Sequence, residues 1–235
     1  MTPDRPIPAA LRAMADPAYR EFQRRLMPTV PPERVLGVRT PALRQFARQL
    51  AGTPEAERFL HTLPHELYEE NNLHGFLIER LPDAEAVIAA LDRFLPYVDN
   101  WATCDMTAPP VFRCRPAALL PAVRRWMAQP EPYAVRYGIV QLMRHYLAPG
   151  VFAPAYPAAV AAVRSEAYYV RMACAWYFAT ALAEQPAAIL PYLTEDGALE
   201  PWVRRKAVQK ALESRRIPAA LAARLRALRR ELPPV

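Results

Sequence analysis

The chain has 235 residues, 53% of them hydrophobic, and a formal charge of +7, which suits one domain or two small ones with a substantial core. No apolar run approaches the roughly 20 residues of a membrane span, and the polar, Pro-rich start from Met1 to Pro8 lacks a signal peptide's apolar region, so a cytoplasmic protein is expected. Only six glycines, with no Asn-Gly or Asp-Gly pair joining alternating strands, argue against a β architecture, and 27 prolines punctuating Ala-, Leu- and Arg-rich segments predict many short helices with tight joints.

Residues Pro8 to Met27 read as one or two short helices with Leu11, Met14, Phe22 and Leu26 as apolar contacts. Pro28, Pro31 and Pro32 then crowd the stretch from Pro28 to Val38, where no sustained helix is expected. Thr40 is placed to cap the next helix and Pro41 suits its first position. Leu43, Phe46, Ala47 and Leu50 give it an apolar stripe ending near Gly52. Arg44 and Arg48 lie on another face, available to phosphates or to water.

Short helices are predicted at Pro54 to His61, Pro64 to Arg80 and Asp83 to Phe94. Within the second, Tyr68-Glu69-Glu70-Asn71-Asn72-Leu73-His74 is unusually polar for a core-facing segment, and reads either as a buried polar network or as a surface turn. His61 and His65 have the spacing of a helical metal pair, but Pro64 between them marks a helix boundary, and no metal site is expected. The odd set Cys104, Cys114 and Cys174, with no Cys-x-x-Cys, fits reduced thiols.

The stretch Asp99-Asn100-Trp101-Ala102-Thr103-Cys104-Asp105 is the candidate for chemistry. Trp101 and Asp105 stand four apart, so on a helix the indole and the carboxylate share a face. An aromatic plane beside a carboxylate suits a cation, or a transition state that becomes cationic. The ordinary alternative is a core indole and a capping carboxylate.

The later half carries a repeat. Tyr133-Ala134-Val135-Arg136-Tyr137, Tyr168-Tyr169-Val170-Arg171-Met172 and Pro201-Trp202-Val203-Arg204-Arg205 share a Val-Arg pair followed by an apolar helix, and their arginines are separated by 171 − 136 = 35 and 204 − 171 = 33 positions. That period indicates stacked helix pairs. The three arginines are then expected to form a ladder facing one surface, suited either to phosphates or to salt bridges with neighbouring helices. Five residues beyond Arg171 stands Trp176, ahead of Tyr177 and Phe178, which read as core. From Val203 to Val235 ten Lys or Arg face Glu213 and Glu231, a net of +8, and the rest of the chain is near neutral at −1. Basic ends on a solenoid-like chain suggest a polyanion lying along it, the alternative being solvated helix faces.

Together, Gly37-Val38-Arg39-Thr40-Pro41 with Leu43-Arg44, Trp101-x-x-x-Asp105, Val135-Arg136 with Gln141-Leu142, and the block from Val170 to Trp176 resemble the HEAT-like-repeat DNA alkylation repair proteins, the AlkD-type alkylpurine DNA glycosylases. The resemblance implies an all-α fold: HEAT-like repeats in a right-handed superhelix with a concave basic face, forming one domain over residues 1–235. It implies that Trp101, Asp105, Arg136 and Trp176 gather on that face, and that the partner is double-stranded DNA containing cationic alkylpurines such as 3-methyladenine and 7-methylguanine. On that reading Asp105 stabilises the oxocarbenium-like sugar and positions water, while Trp101 and Trp176 bracket the deoxyribose and the cation. Arg136 fixes a flanking phosphate, and Arg171, Arg204, Arg39 and Arg44 are further phosphate candidates.

No metal, cofactor or base-flipping pocket is implied, and a free concave face suits a monomer. Two departures stand out. The family's minor-groove helix, just before the Gly-x-x-Thr-Pro phrase, is replaced here by the proline-crowded Met27 to Val35, as in a shorter paralogous branch. The turn after Trp176, Tyr177-Phe178-Ala179-Thr180, also lacks a basic residue. These departures favour a second reading, a catalytically weak scaffold that binds DNA or protein.

Overall fold

A computed structural model of the chain describes residues 7–114 and 116–233. Among the described residues there are fourteen α-helices, three short 3-10 turns and no strand, so the all-α expectation holds. None of these helices is long and apolar enough to cross a membrane. The chain divides into two compact units, Met1–Leu119 and Leu120–Val235.

In the first unit, α1 (Ile7–Ala13) buries Ile7 and Leu11. The next helix, α2 (Pro17–Leu26), starts at Asp16, whose carboxylate accepts the Tyr19 N–H, with Pro17 at its first position. Residues 27–39 then run without an α-helix. Their one regular piece is a 3-10 turn at Pro32–Arg34, and Met27, Val30 and Val35 are buried. Gly37 ends this loop with φ 87°, and a β-carbon there would collide with the Asp16 carbonyl and the Arg20 backbone, so the close approach to α2 requires glycine.

α3 (Thr40–Leu50) buries the expected stripe of Leu43, Phe46, Ala47 and Leu50. Thr40 is its first helical residue rather than its cap; Arg39 holds the cap position, without a side-chain bond. α4 (Pro54–His61) is capped by Thr53. α5 (Tyr68–Ile78) begins later than the sequence suggested and is buried along its whole length, which makes the polar stretch at its start an interior network. α6 (Ala84–Phe94) and α7 (Trp101–Met106) complete the unit's α-helices up to α8 (Pro116–Met127), which straddles the boundary. Gly75 on α5 leaves room for the Thr107 side chain, so α5 and the end of α7 pack closely.

The second unit contains α9 (Pro132–His145), α10 (Ala155–Ala161), α11 (Tyr168–Glu184), α12 (Pro186–Thr194), α13 (Pro201–Glu213) and α14 (Ala219–Glu231). α11 lies between α9 and α13 and packs along both. Ala173, Ala175, Ala181, Tyr177, Phe178 and Leu182 are therefore all buried, and a half-exposed line runs at helical spacing through Tyr169, Met172, Trp176, Thr180 and Ala183. Each of these three helices opens on one of the repeated Val-Arg pairs. Each repeat thus contributes one such helix, at the period the spacing indicated.

Candidate functional site

The short helix α7 carries Trp101 and Asp105, both half-buried and one turn apart. Six residues are too few to be stable alone, so the surroundings must hold this helix. At its start the Asn100 side chain accepts the Thr103 N–H at 2.8 Å and donates to Thr103 Oγ1 and to Asp99 Oδ1. Thr103 Oγ1 in turn donates to Asn72 Oδ1 of α5 at 2.6 Å. Asn72, Asn100 and Thr103 are all buried, where an unpaired amide or hydroxyl is costly, and the chain of bonds fixes α7 on α5.

At its other end, Arg44 Nη2 donates to the Met106 carbonyl at 3.1 Å, while Arg44 Nη1 pairs with Glu79 at 2.6 Å and the guanidinium lies 3.9 Å from the centre of the Phe76 ring. Glu79 also accepts the Ala108 N–H. A cation at the C-terminus of α7 offsets the negative end of the helix, and Arg44 is thereby engaged in holding the segment that bears Asp105.

The proline-crowded loop is the third support. Trp101 Nε1 donates to the Leu26 carbonyl at 3.0 Å, and the indole packs on Met27, Val30, Val35, Tyr68 and Ala102. Arg34 Nη1 pairs with Asp99 at 2.8 Å and its other nitrogens donate to the Glu66 and His65 carbonyls. Beneath the loop, Glu69 is wholly buried and accepts the N–H groups of Leu36, Gly37 and Val38 at 3.0, 2.7 and 3.2 Å. Burial pushes its carboxyl above the ordinary value, and these backbone donors pull the other way.

Two histidines complete the interior of this unit. His65 Nε2 and His74 Nδ1 are 2.8 Å apart, His65 stacks on Phe59 and His74 on Phe94. Burial lowers His65 to about 4 and His74 to about 2, so both are neutral near pH 7. Among the described residues no three His, Cys, Asp or Glu side chains group as a metal site would need.

In the second unit the repeated arginines tie one repeat to the next. Arg136 is buried and donates to the Tyr169 carbonyl at 2.8 Å, at the start of α11. Arg171 pairs with Glu200 at 2.8 Å and lies 4.5 Å from the Trp202 ring centre; Glu200 also caps α13. Arg204 is buried, donates to the Leu193 and Thr194 carbonyls that end α12, and pairs with Asp196. Arg39, in the first unit, is more exposed than Arg44, Arg136, Arg171 and Arg204. It pairs with Asp16 at 2.8 Å, lies 4.9 Å from the Tyr19 ring centre, and leaves 62% of its side chain in solvent.

Trp176 is half-buried and lines a groove of about 660 Å³ formed by α9, α11, α13 and the turn after α13. Its cations are Arg144, Lys210 and Arg216, with Thr180 and Glu213 as further polar lining. The turn after Trp176 has no basic residue, but α9 and α13 supply Arg144 and Lys210, and the turn after α13 supplies Arg216, which pairs with Glu184. The repeat could have found Lys210, since Met143, Trp176 and Lys210 follow one another at intervals of 33 and 34 positions, the same period that relates the arginines. Arg34, Leu26 and Asn72 left no such signal, because their partners lie 65, 75 and 31 residues away.

A family model described as DNA alkylation repair enzyme matches residues 7–211. No curated protein matches the chain.

Proposed function

The chain belongs to the DNA alkylation repair enzyme family, and from that premise we propose that it is a DNA N-glycosylase hydrolysing the bond between deoxyribose and a cationic alkylpurine such as 3-methyladenine or 7-methylguanine. The observation that carries this reading is α7 itself: a six-residue helix secured at both ends and along its length so that one indole and one carboxylate stand a turn apart, half-exposed. Preorganised charge of this kind lowers a barrier only where the transition state develops the opposite charge.

An N-alkylated purine meets that condition. It already carries positive charge, so its glycosidic bond breaks with the electron pair going to the base, which departs neutral and needs no acid. The sugar becomes oxocarbenium-like at C1′. The Asp105 carboxylate stabilises that charge and orients a water whose oxygen bonds to C1′, its proton passing to the carboxylate or to solvent. Trp101 supplies an aromatic face to the cationic sugar, its tilt fixed by the Leu26 carbonyl. Within the second unit, Trp176 offers an aromatic surface of its own, and Arg144, Lys210 and Arg216 around it take backbone phosphates. Arg39 and Arg171 add phosphate contacts where their side chains reach solvent, while Arg136, Arg204 and Arg44 act through the elements they hold. No metal or organic cofactor takes part in these steps, and the base need not be flipped into a pocket.

The test is single-turnover release of 7-methylguanine and 3-methyladenine from methylated duplex DNA, with protein in excess at low salt. Release by the native protein that disappears in Asp105→Asn, with duplex binding retained, is the expected result; equal release by both proteins removes Asp105 from the mechanism.

A second reading has its own observation. Residues 27–39 form a loop anchored by buried Met27, Val30, Val35 and Val38 rather than a projecting helix, as a non-catalytic branch of the family would have it. The unit nevertheless presents α2, with Phe22 56% and Leu26 45% exposed, on the helix whose last carbonyl holds Trp101. Absence of release from folded native protein that still binds duplex DNA selects the scaffold reading.

A further inference from the structure

The basic surface of the last helix contributes no residue to the candidate site described above. The family match ends at residue 211, and α14 follows it. Helix α14 is amphipathic, with Leu225 wholly buried, and its end is held by Arg205, whose guanidinium donates to the carbonyls of Arg229, Leu232 and Pro233. This docking fixes the direction in which the exposed arginines of α14 project.

Three of them, Arg226, Arg229 and Arg230, line a groove of about 690 Å³ with Gln209, Leu212, Glu213 and Ala223. Their spacing of three and four residues puts them on adjoining turns of one face. Among the described residues, none of these three side chains has an ion pair or a hydrogen bond. Arg44, Arg136, Arg171 and Arg204 are all bonded within the protein, so the α14 arginines are a different population.

Glu213 lines this groove and also the Trp176 groove. It is the last residue of α13, where a negative charge opposes the helix dipole, and it accepts from the side-chain amide of Gln209 at 3.0 Å. A local rule is broken at the one position where two basic grooves meet.

We propose that the two grooves form one continuous track for the phosphodiester backbone of duplex DNA, running from Arg144, Lys210 and Arg216 to Arg226, Arg229 and Arg230, with Glu213 as an acidic divider that weakens the passage between them. The track reads no sequence and no lesion, because a row of guanidinium groups recognises phosphate alone. It holds undamaged DNA in a salt-sensitive way, and the divider keeps that hold weak enough for release. The inference rests on the repair reading only for the choice of duplex DNA.

The experiment is a fluorescence-anisotropy titration of the full chain against a short unmodified duplex between about 50 and 200 mM NaCl, for the native protein, Arg226→Ala/Arg230→Ala and Glu213→Gln. Loss of two phosphate contacts should flatten the slope of log affinity against log salt by about 2 and weaken binding about ten-fold at the low-salt end. Removing the divider should tighten binding by about three-fold across the series, as removal of one like charge near a phosphate does. A native slope in the double variant, or no gain in Glu213→Gln, overturns the track. Alkylpurine release at saturating protein, measured on the same preparations, separates the two claims. Release by native protein with a native slope in the double variant defeats the track and leaves the glycosylase. A flattened slope together with tighter Glu213→Gln binding, but without release, leaves the track and defeats the glycosylase.

Discussion

In the first unit Trp101 is held by a carbonyl 75 residues away in sequence and Asp99 by an arginine 65 residues away, whereas in the second unit Arg136 and Arg171 reach partners 33 and 29 residues on, each at the start of the next repeat helix. The second pattern is that of a stacked repeat, where each element answers mainly to its neighbours and damage stays local. The first has no repeat logic. Loop 27–39, α5 and α7 share one polar network, so each member supports the others and a single break is felt by all of them. The lesson is that the candidate chemistry of α7 sits in the less regular unit, where a short helix can be locked from several directions at once.

The largest effect expected of this difference is at Glu69. Glu69→Ala leaves the buried N–H groups of Leu36, Gly37 and Val38 without their acceptor, and should cost about 3–5 kcal/mol in urea unfolding. Glutamine keeps one carbonyl acceptor and should lose less. Amide exchange would speed at residues 36–38 and also in α7; exchange confined to the loop would show the network to be separable. Arg204→Ala comes next. It strips the Leu193 and Thr194 carbonyls and should cost about 2–4 kcal/mol, against about 1 kcal/mol for the more exposed Arg171→Ala, whose partner Glu200 still caps α13. Equal losses in the two variants would mean that burial does not distinguish the rungs.

How far the sequence spoke differs between the units for the same reason. The all-helical class, the buried stripe of α3 and the repeated Val-Arg openings of α9, α11 and α13 were legible because each is a local or periodic signal. Trp101 and Asp105 were recognised as one face of a helix, but nothing nearby says that Leu26, Arg34 and Asn72 hold them. The polar start of α5 was ambiguous for a related cause. Asn72 and Glu69 become interior residues only because Thr103 and the loop N–H groups come to them from distant sequence. The groove around Trp176 was missed by looking along the chain, where no cation follows, rather than across the repeat, where Lys210 stands.

A smaller effect should follow from the histidine pair. His65 and His74 are both held below the ordinary imidazole value of 6.5 by burial, so the unfolded chain takes up protons first as pH falls. Their contribution is complete above that value and is lost as pH falls from 6.5, towards about 4 for His65 and about 2 for His74. Because the two rings share one hydrogen bond and titrate as a pair, a loss on the order of 2 kcal/mol is expected between pH 7 and pH 5. His74→Phe, which keeps a ring against Phe94, should flatten that profile. A profile unchanged in the variant would place the acid sensitivity elsewhere, and not at Glu69, whose raised carboxyl makes the folded chain take up that proton first.

The smallest effect on stability should be at Arg39, and it brings the comparison inside the first unit. Arg44, only five residues along, is fixed between Glu79, Phe76 and the Met106 carbonyl, so Arg44→Met should loosen α7 and lower alkylpurine release as well as stability. Arg39 has only Asp16 and the Tyr19 ring, both at the surface, and water and salt screen that pair. Its guanidinium can leave Asp16 for a phosphate at little cost, which is what a binding arginine needs and what Arg44 cannot do without releasing α7. Arg39→Ala should therefore leave the urea midpoint where it is and reduce the salt slope of duplex binding by about 1. A native slope together with a lowered midpoint would reverse the assignment and make Arg39 a clamp on the start of α2.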